Sequence, residues 1–483
     1  MPTDLAALDH AHVWHPFTPM RQWRQRDPLI IQRGDGPYLF DTAGHQYIDG
    51  VSSLWCNVHG HNHPHINQAI RDQLDQVAHT TLLGLASPPS IQLAARLTET
   101  VNRHLKPTAE RSEASDDLTK VFYSDAGATA VEVAFKMAVG YWHHSGQPDK
   151  TRFIGLHGAY HGDTVGSMSV GFSNLFHRPF VSMVFQVDSF PHCDPLRESL
   201  RPPGRGSRGP SDTWPSEDQP LMQRLADHAL QQLATHLDHH AHTTAAVVLE
   251  PVMQGAAGMI VQPPGFVRRV RQLCTDHDVL LIADEVATGF GRTDALFACE
   301  HDRTAPDILC LAKGLTGGYL PLAVTLATDR IAHAFEGQPH ERRTLYHGHT
   351  YTGNPLACAA ALACLDLFTQ PPTPDLLHHI TQSTTILRDR LDPLRTHPGI
   401  LDVRQRGLMV GIELGDRSQP APDFDFAATA AAELCHQMRA RGVILRPLGN
   451  VLVLMPIPAT PHPVLHELLD TLLDTLTPWR PTP

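Results

Sequence analysis

VLLIADEVATGFGRTD, residues 279–294, runs five apolar residues into two carboxylates and a glycine-rich turn. An apolar run of that length between turn signals reads as a strand buried on both faces. Asp284 and Glu285 leave its carboxyl end, the edge at which open α/β sheets bind ligands. A buried aspartate needs a cationic partner. A protonated pyridine nitrogen, a helix N-cap and a metal ion are all open at this point. The DE pair also ends Walker B strands, but no GxxxxGK[ST] accompanies it.

Outward from that strand, similar runs recur at VFYS (121–124), RFIGL (152–156), AAVVL (245–249), ILCL (308–311) and LPLAVTLA (320–327). Helical segments at 129–142 and 264–277 alternate with them. The pattern predicts an α/β chain with a mainly parallel sheet covered on both faces. Ile66, Ile70, Leu74 and Val77 mark an amphipathic helix over 66–78. Helices are expected at 355–368, 375–391, 425–441 and 462–476, with strands at 443–447 and 451–455. The Pro-, Gly- and Ser-rich stretch 201–220 and the segment 109–117 read as surface loops.

Composition excludes several classes. The 483 residues are 42% hydrophobic and 18% charged, enough for a large core and unlike a disordered chain. A net charge of −12 opposes nucleic acid or an anionic membrane as the main partner. No apolar run approaches the ~18 residues of a membrane span, and the first residues lack the cationic and apolar regions of a signal peptide. Eight cysteines without a CxxC pair suit buried thiols in a reducing compartment, and a cytoplasmic location is expected.

Of the 38 Lys and Arg residues only five are lysines, and Lys313 is the last of them. It sits in PDILCLAKGLTGGYLPLAV, where a strand delivers it to a glycine-rich turn. Desolvation at a strand mouth lowers an amine's pKa, as a Schiff-base lysine requires. SDAGATAVEVAFKMA places Ala126, Gly127 and Ala128 at a strand–helix turn, whose free N–H groups suit a phosphate. GAYHGD (158–163) sets an aromatic between glycines, suited to packing on a flat ring.

Together with HGHTYTGNPLACAAA (347–361), these segments resemble the class III aminotransferases of fold-type I. The phrases HVWHPFTPM, SSLWCNVHGHNHP, GAYHGDTVGSMSVG, EPVMQGAAGM and RPLGNVLVLMP are most similar to the 7,8-diaminononanoate synthase branch of that family, the adenosylmethionine–8-amino-7-oxononanoate aminotransferases of biotin synthesis. The resemblance runs from about residue 12 to beyond 455. It implies a large cofactor domain over 60–365 and a smaller α+β domain built from 1–59 and 366–483.

It further implies pyridoxal 5'-phosphate bound to Lys313, which would also shuttle the proton. Asp284 would pair with the pyridine nitrogen, Tyr160 would stack on the ring, and Gly127 and Ala128 would hold the phosphate. His349 and Thr350 would reach the phosphate from the second subunit of a homodimer. Leu54, Tyr160, Arg292, Lys313, Gly348 and Arg446 fall at substrate positions, with Arg446 gripping the carboxylate of 8-amino-7-oxononanoate. Arg292 is alternatively a balance for buried carboxylates. Phe17 stands at a position of the catalytic site where relatives often carry tyrosine, Leu54 replaces a tryptophan, and Ala128 replaces a serine. The first two departures bear on the amino donor, for which S-adenosylmethionine is expected first and lysine second. The histidines of HGHNHPH (His59, His61, His63, His65) and of HHAH (His239, His240, His242) are the competing metal signal. The first of these stretches fits the family pattern without a metal, and no metal site is expected.

Overall fold

The computed structural model describes residues 4–105, 117–194, 196, 219–369, 375–418 and 429–481. The expected loops at 201–218 and 109–116 lie outside the described residues, and 219–220 begin the helix Gln219–His240.

Seven strands form the central sheet: β1 (Leu118–Ser124), β2 (Arg152–Leu156), β3 (Asp188–Phe190), β4 (Thr244–Leu249), β5 (Leu280–Asp284), β6 (Ile308–Leu311) and β7 (Ala323–Thr328). Their spatial order is β1-β7-β6-β5-β4-β2-β3. The pairs from β6 through β3 are parallel, and only β7 runs against its neighbours β6 and β1. Every residue of β4, β5, β6 and β7 is buried, which is why these strands read as unbroken apolar runs. Helix Gly127–His144 packs its Ala130, Val133, Ala134 and Met137 against one face. Helices Gln219–His240 and Phe266–Asp276 cover the other through Leu230, Leu233, Val267 and Val270.

The antiparallel strands Ile31–Asp35, Tyr38–Asp41 and Gln46–Asp49 are joined in parallel by Val443–Ile444, so both chain ends share a sheet. A third sheet contains Ile400–Arg406, Met409–Leu414, Val451–Leu454 and Arg446–Leu448. The expected single strand over 443–447 is therefore two short strands in different sheets. Pro447 lies in the second and cannot donate to a ladder, which confines it to this edge strand. The expected strand over 320–327 starts later, at Ala323, after Pro321. The helix expected from 425 is described from Ala430 to Ala440.

Candidate active site

Five central strands point their carboxyl ends at one cavity of about 670 Å³. Beyond β1 come Gly127 and Ala128, beyond β2 Tyr160 and His161, beyond β4 Glu250, at the end of β5 Asp284, and beyond β6 Lys313; all line the cavity. The edge rule for open α/β sheets therefore accounts for the whole assembly.

Lys313 opens a single 3-10 turn directly after β6 and has φ 46°, in the left-handed region. Such strain in a residue other than glycine persists only where the surroundings impose it. Its Nζ lies 4.9 Å from the centroid of the Trp55 ring. Burial lowers its pKa, and the charges of Asp284 and Glu250 restore only part of the loss. The chain thus holds an amine with an eased path to its neutral, nucleophilic form.

Asp284 is 4% exposed, and its Oδ2 lies 2.7 Å from Nδ1 of His161, while Oδ1 accepts from the N–H of Val286 at 3.0 Å. Burial alone would lower the His161 pKa, but the hydrogen bond and charge of Asp284, with Glu250, raise it overall. Nε2 of His161 is buried without a hydrogen-bond partner among the described residues. Glu250 accepts from the N–H groups of Tyr160 at 3.2 Å and Gly255 at 3.0 Å. Burial pushes its carboxyl up to about 7. Neither His161 nor Glu250 was singled out above. Glu250 directly follows a strand that had been recognised, so the same edge rule would have found it.

The helix that begins at Gly127 leaves the N–H groups of its first turn without intrahelical acceptors, a site for an anion. A Cβ at Gly127 would lie 2.6 Å from Cγ1 of Val286. Gly162, with φ 119°, presses so closely on Ala128 that a side chain there would overlap it. Tyr160 lines the same cavity, its hydroxyl 2.8 Å from Asp163 Oδ2. A flat, phosphorylated, cationic heteroaromatic ring fits this donor set: amine, buried carboxylate, aromatic wall and free N–H groups in one volume.

Other expected residues lie elsewhere. Arg292 is 1% exposed and does not line the cavity. Its Nη1 donates to Ser52 Oγ at 2.9 Å and the Pro456 carbonyl at 3.1 Å, and its Nη2 to the Asn57 carbonyl at 2.8 Å. Burial lowers its pKa to about 10. In this structure it holds two backbone carbonyls and a serine hydroxyl and is not brought to the cavity wall. Phe17 is exposed, meets Phe176 edge-on at 5.5 Å and does not line the cavity. Leu54 is 45% exposed beside Trp55. Gly348, His349 and Thr350 line a different groove of about 1020 Å³ with Leu83 and Tyr346. His349 nevertheless approaches the first cavity's rim, with Nδ1 3.3 Å from Asp125 Oδ2. Arg446 is half-buried, and its guanidinium has no hydrogen-bond or ion-pair partner among the described residues.

The histidine motifs find ordinary partners. Nε2 of His59 meets the Cys364 carbonyl at 3.1 Å, His61 meets Asp49 at 3.0 Å and His65 meets Asp366 at 3.3 Å. His239 and His240 end the helix Gln219–His240, and the ring of His240 packs 4.7 Å from His236. Among the described residues no group of three or more His, Cys, Asp or Glu is placed to hold a metal ion.

The sequence model of the family "Aminotransferase class-III" matches residues 20–476. The chain belongs to the class III aminotransferase family. This aminotransferase is 47% identical over 478 residues to the adenosylmethionine-8-amino-7-oxononanoate aminotransferase of Nitratidesulfovibrio vulgaris, covering 98% of this chain and 80% of the relative. It is 43% identical to the protein of that name in Geobacter sulfurreducens, over 97% and 95% of the two chains. The crystal structure of the Methanocaldococcus jannaschii protein of that name superposes with a TM-score of 0.84 at 39% identity, over 98% of both chains. A PLP-bound amine transaminase from an uncultivated Pseudomonas species gives a TM-score of 0.83 at 35% identity, over 96% and 98%.

Proposed function

We propose that this aminotransferase uses pyridoxal 5'-phosphate to move an amino group onto 8-amino-7-oxononanoate, giving 7,8-diaminononanoate in biotin biosynthesis. The observation that carries the reading is one cavity holding Lys313, the buried carboxylate of Asp284 and the open N-terminus of helix Gly127–His144. The relatives' shared name supplies the acceptor.

When bound, the cofactor supplies an electron sink that acidifies the C–H bond beside the transferred nitrogen. Lys313 would hold it through the amine and, once freed, would serve as the base that moves the proton. Asp284, oriented by His161, would pair with the ring nitrogen, and Tyr160 would wall the ring. The Gly127 and Ala128 N–H groups would hold the phosphate. Arg446, unpartnered and half-buried, takes the substrate carboxylate through a two-pronged contact. Leu54 lies at the substrate entrance.

The working unit in this reading is a homodimer. Tyr346 and Leu83, 68% and 88% exposed, flank the groove that carries Gly348, His349 and Thr350, and a second subunit covers it. The large domain over 60–365 holds the cofactor, and 1–59 with 366–483 form the smaller one. The enzyme works in the cytoplasm: seven of its eight cysteines are free and buried, and no helix among the described residues is long and apolar enough to cross a membrane.

S-adenosylmethionine, which gives the relatives their name, is the proposed amino donor. Lysine is the second reading, because Phe17 and Leu54 leave the entrance without a phenol and an indole found in relatives. A donor screen with purified protein, cofactor and 8-amino-7-oxononanoate decides between them. Product with adenosylmethionine supports the first reading; product with lysine alone replaces it by the second; product with neither overturns the acceptor assignment.

A further inference from the structure

We propose that Asp49 and His61 are positioning residues that hold the backbone arch Ser52–Trp55 in its left-handed form and thereby set Trp55 against Lys313. The proposal rests on the aminotransferase reading above and extends it to residues outside the cavity wall.

Four consecutive non-glycine residues have positive φ: Ser52 at 51°, Ser53 at 60°, Leu54 at 149° and Trp55 at 66°. Each is sterically disfavoured in that region, and a run of four requires outside restraint. The arch ends on a cavity residue. Trp55 is 7% exposed, lines the cavity, faces the Lys313 amine and packs over Gly255, while Leu54 before it is exposed.

Asp49 supplies the restraint from beneath. It is 1% exposed, and its Oδ1 accepts from the N–H of Ser53 at 2.9 Å and of Val51 at 3.3 Å. Its Oδ2 accepts from the Ser53 hydroxyl at 2.8 Å. Nε2 of His61 reaches the same oxygen at 3.0 Å. The tautomer follows from the next link. Asn57 Oδ1 accepts from the Gly60 N–H at 2.8 Å, which turns Asn57 Nδ2 toward His61 Nδ1 at 3.0 Å. Nδ1 is therefore the acceptor, and Nε2 carries the hydrogen given to Asp49. A chain of donors thus runs from Asn57 through His61 to Asp49 and fixes the carboxylate that fixes the arch. It also gives His61 a purpose that neither a metal nor the cavity supplies.

Breaking the chain leaves the arch free to relax and lets Trp55 leave the lysine. Asp49→Asn turns an N–H₂ toward the donors on one side, and His61→Phe removes the donor to Asp49. His61→Gln retains an N–H for Asp49 and loses the acceptor for Asn57. The test measures the pH midpoint of the bound cofactor's absorbance change, and KM and kcat separately, on protein loaded with pyridoxal phosphate. We expect Asp49→Asn and His61→Phe to shift that midpoint and to raise KM by at least about tenfold, the scale of one lost charged hydrogen bond, with His61→Gln between them and wild type. In a Trp55→Ala background Asp49→Asn should add no further rise in KM, because the effect acts through Trp55. Asp41→Asn, on the neighbouring strand, should leave both readouts unchanged.

Folded Asp49→Asn or His61→Phe protein with a wild-type midpoint and KM overturns the proposal. If Asp49→Asn does not fold, the ranking of His61→Phe below His61→Gln decides: equal values overturn it. Wild-type protein that shows no cofactor band overturns the aminotransferase reading, and this proposal with it.

Discussion

Nδ1 of His161 and Oδ2 of Asp284 lie 2.7 Å apart, both sealed from solvent, where the loop after β2 reaches across β4 to the end of β5. Among the described residues the imidazole is the carboxylate's only side-chain partner at that oxygen, so it fixes where the negative charge points. His161→Phe keeps the volume and removes the partner. Pyridoxal phosphate should then bind at least about tenfold more weakly, the scale of a lost charged hydrogen bond. Spectroscopic titration of cofactor-free protein checks this, and an unchanged Kd would sink the orienting role.

Glu250 should make stability fall with rising pH. Its folded pKa, about 7, lies above the 4.5 of an unperturbed glutamate, so the folded state keeps its proton after the unfolded chain has lost it. Stability from this group is full below the unfolded pKa and declines between about 4.5 and 7 as pH rises. Glu250→Gln removes the titration and should flatten that decline. Its stability relative to wild type should rise from pH 4.5 to 8, by up to about 3 kcal/mol. Denaturant melts of the cofactor-free protein at several pH values measure it; parallel curves would show that Glu250 does not titrate there.

Gly162 and Ala128 are a matched pair. Gly162→Ala introduces a Cβ into Ala128 at φ 119°, and both strain and overlap act on the phosphate turn. The variant should lose about 1–3 kcal/mol of stability and bind cofactor weakly. Adding Ala128→Gly should recover the part due to overlap and leave the part due to φ. No recovery in thermal melts would place the whole cost in the backbone.

Arg446 should act on binding more than on chemistry. Arg446→Gln is expected to raise KM for 8-amino-7-oxononanoate by about 100-fold with a smaller change in kcat, and Arg446→Lys should fall between, since an ammonium lacks the planar fork. Steady-state kinetics over acceptor concentration check this. A loss confined to kcat would remove Arg446 from carboxylate recognition.

The sequence made the central sheet readable because its strands are buried on both faces and so spell unbroken apolar runs; RFIGL and ILCL match β2 and β6 residue for residue. Half of the third sheet was hidden. Strand Ile400–Arg406 buries Asp402 and Arg404, whose charges mask the apolar pattern; Arg404 donates to Glu413 on the next strand and to the Gly258 carbonyl and lies 3.5 Å from the Asp402 carboxylate. Lys313, Asp284, Tyr160, Gly127 and Ala128 were legible because each follows a recognisable strand, and all five line one cavity. The surroundings of Arg292 were not legible: a charged residue in a glycine-rich turn resembles a ligand contact, and only the packing reveals three backbone and hydroxyl acceptors around it. His61 was visible as a histidine in a cluster, but its partner Asp49 lies outside every motif quoted above, and their pairing is a fact of the fold alone.

The central claim is that position 313 requires a primary amine able to lose its proton, in a chain that uses arginine for most other positive charges. The direct measurement is amine transfer to 8-amino-7-oxononanoate by Lys313→Arg protein whose fold is verified by circular dichroism. The account predicts a folded protein with no detectable transfer. A folded Lys313→Arg enzyme that still forms product would contradict it.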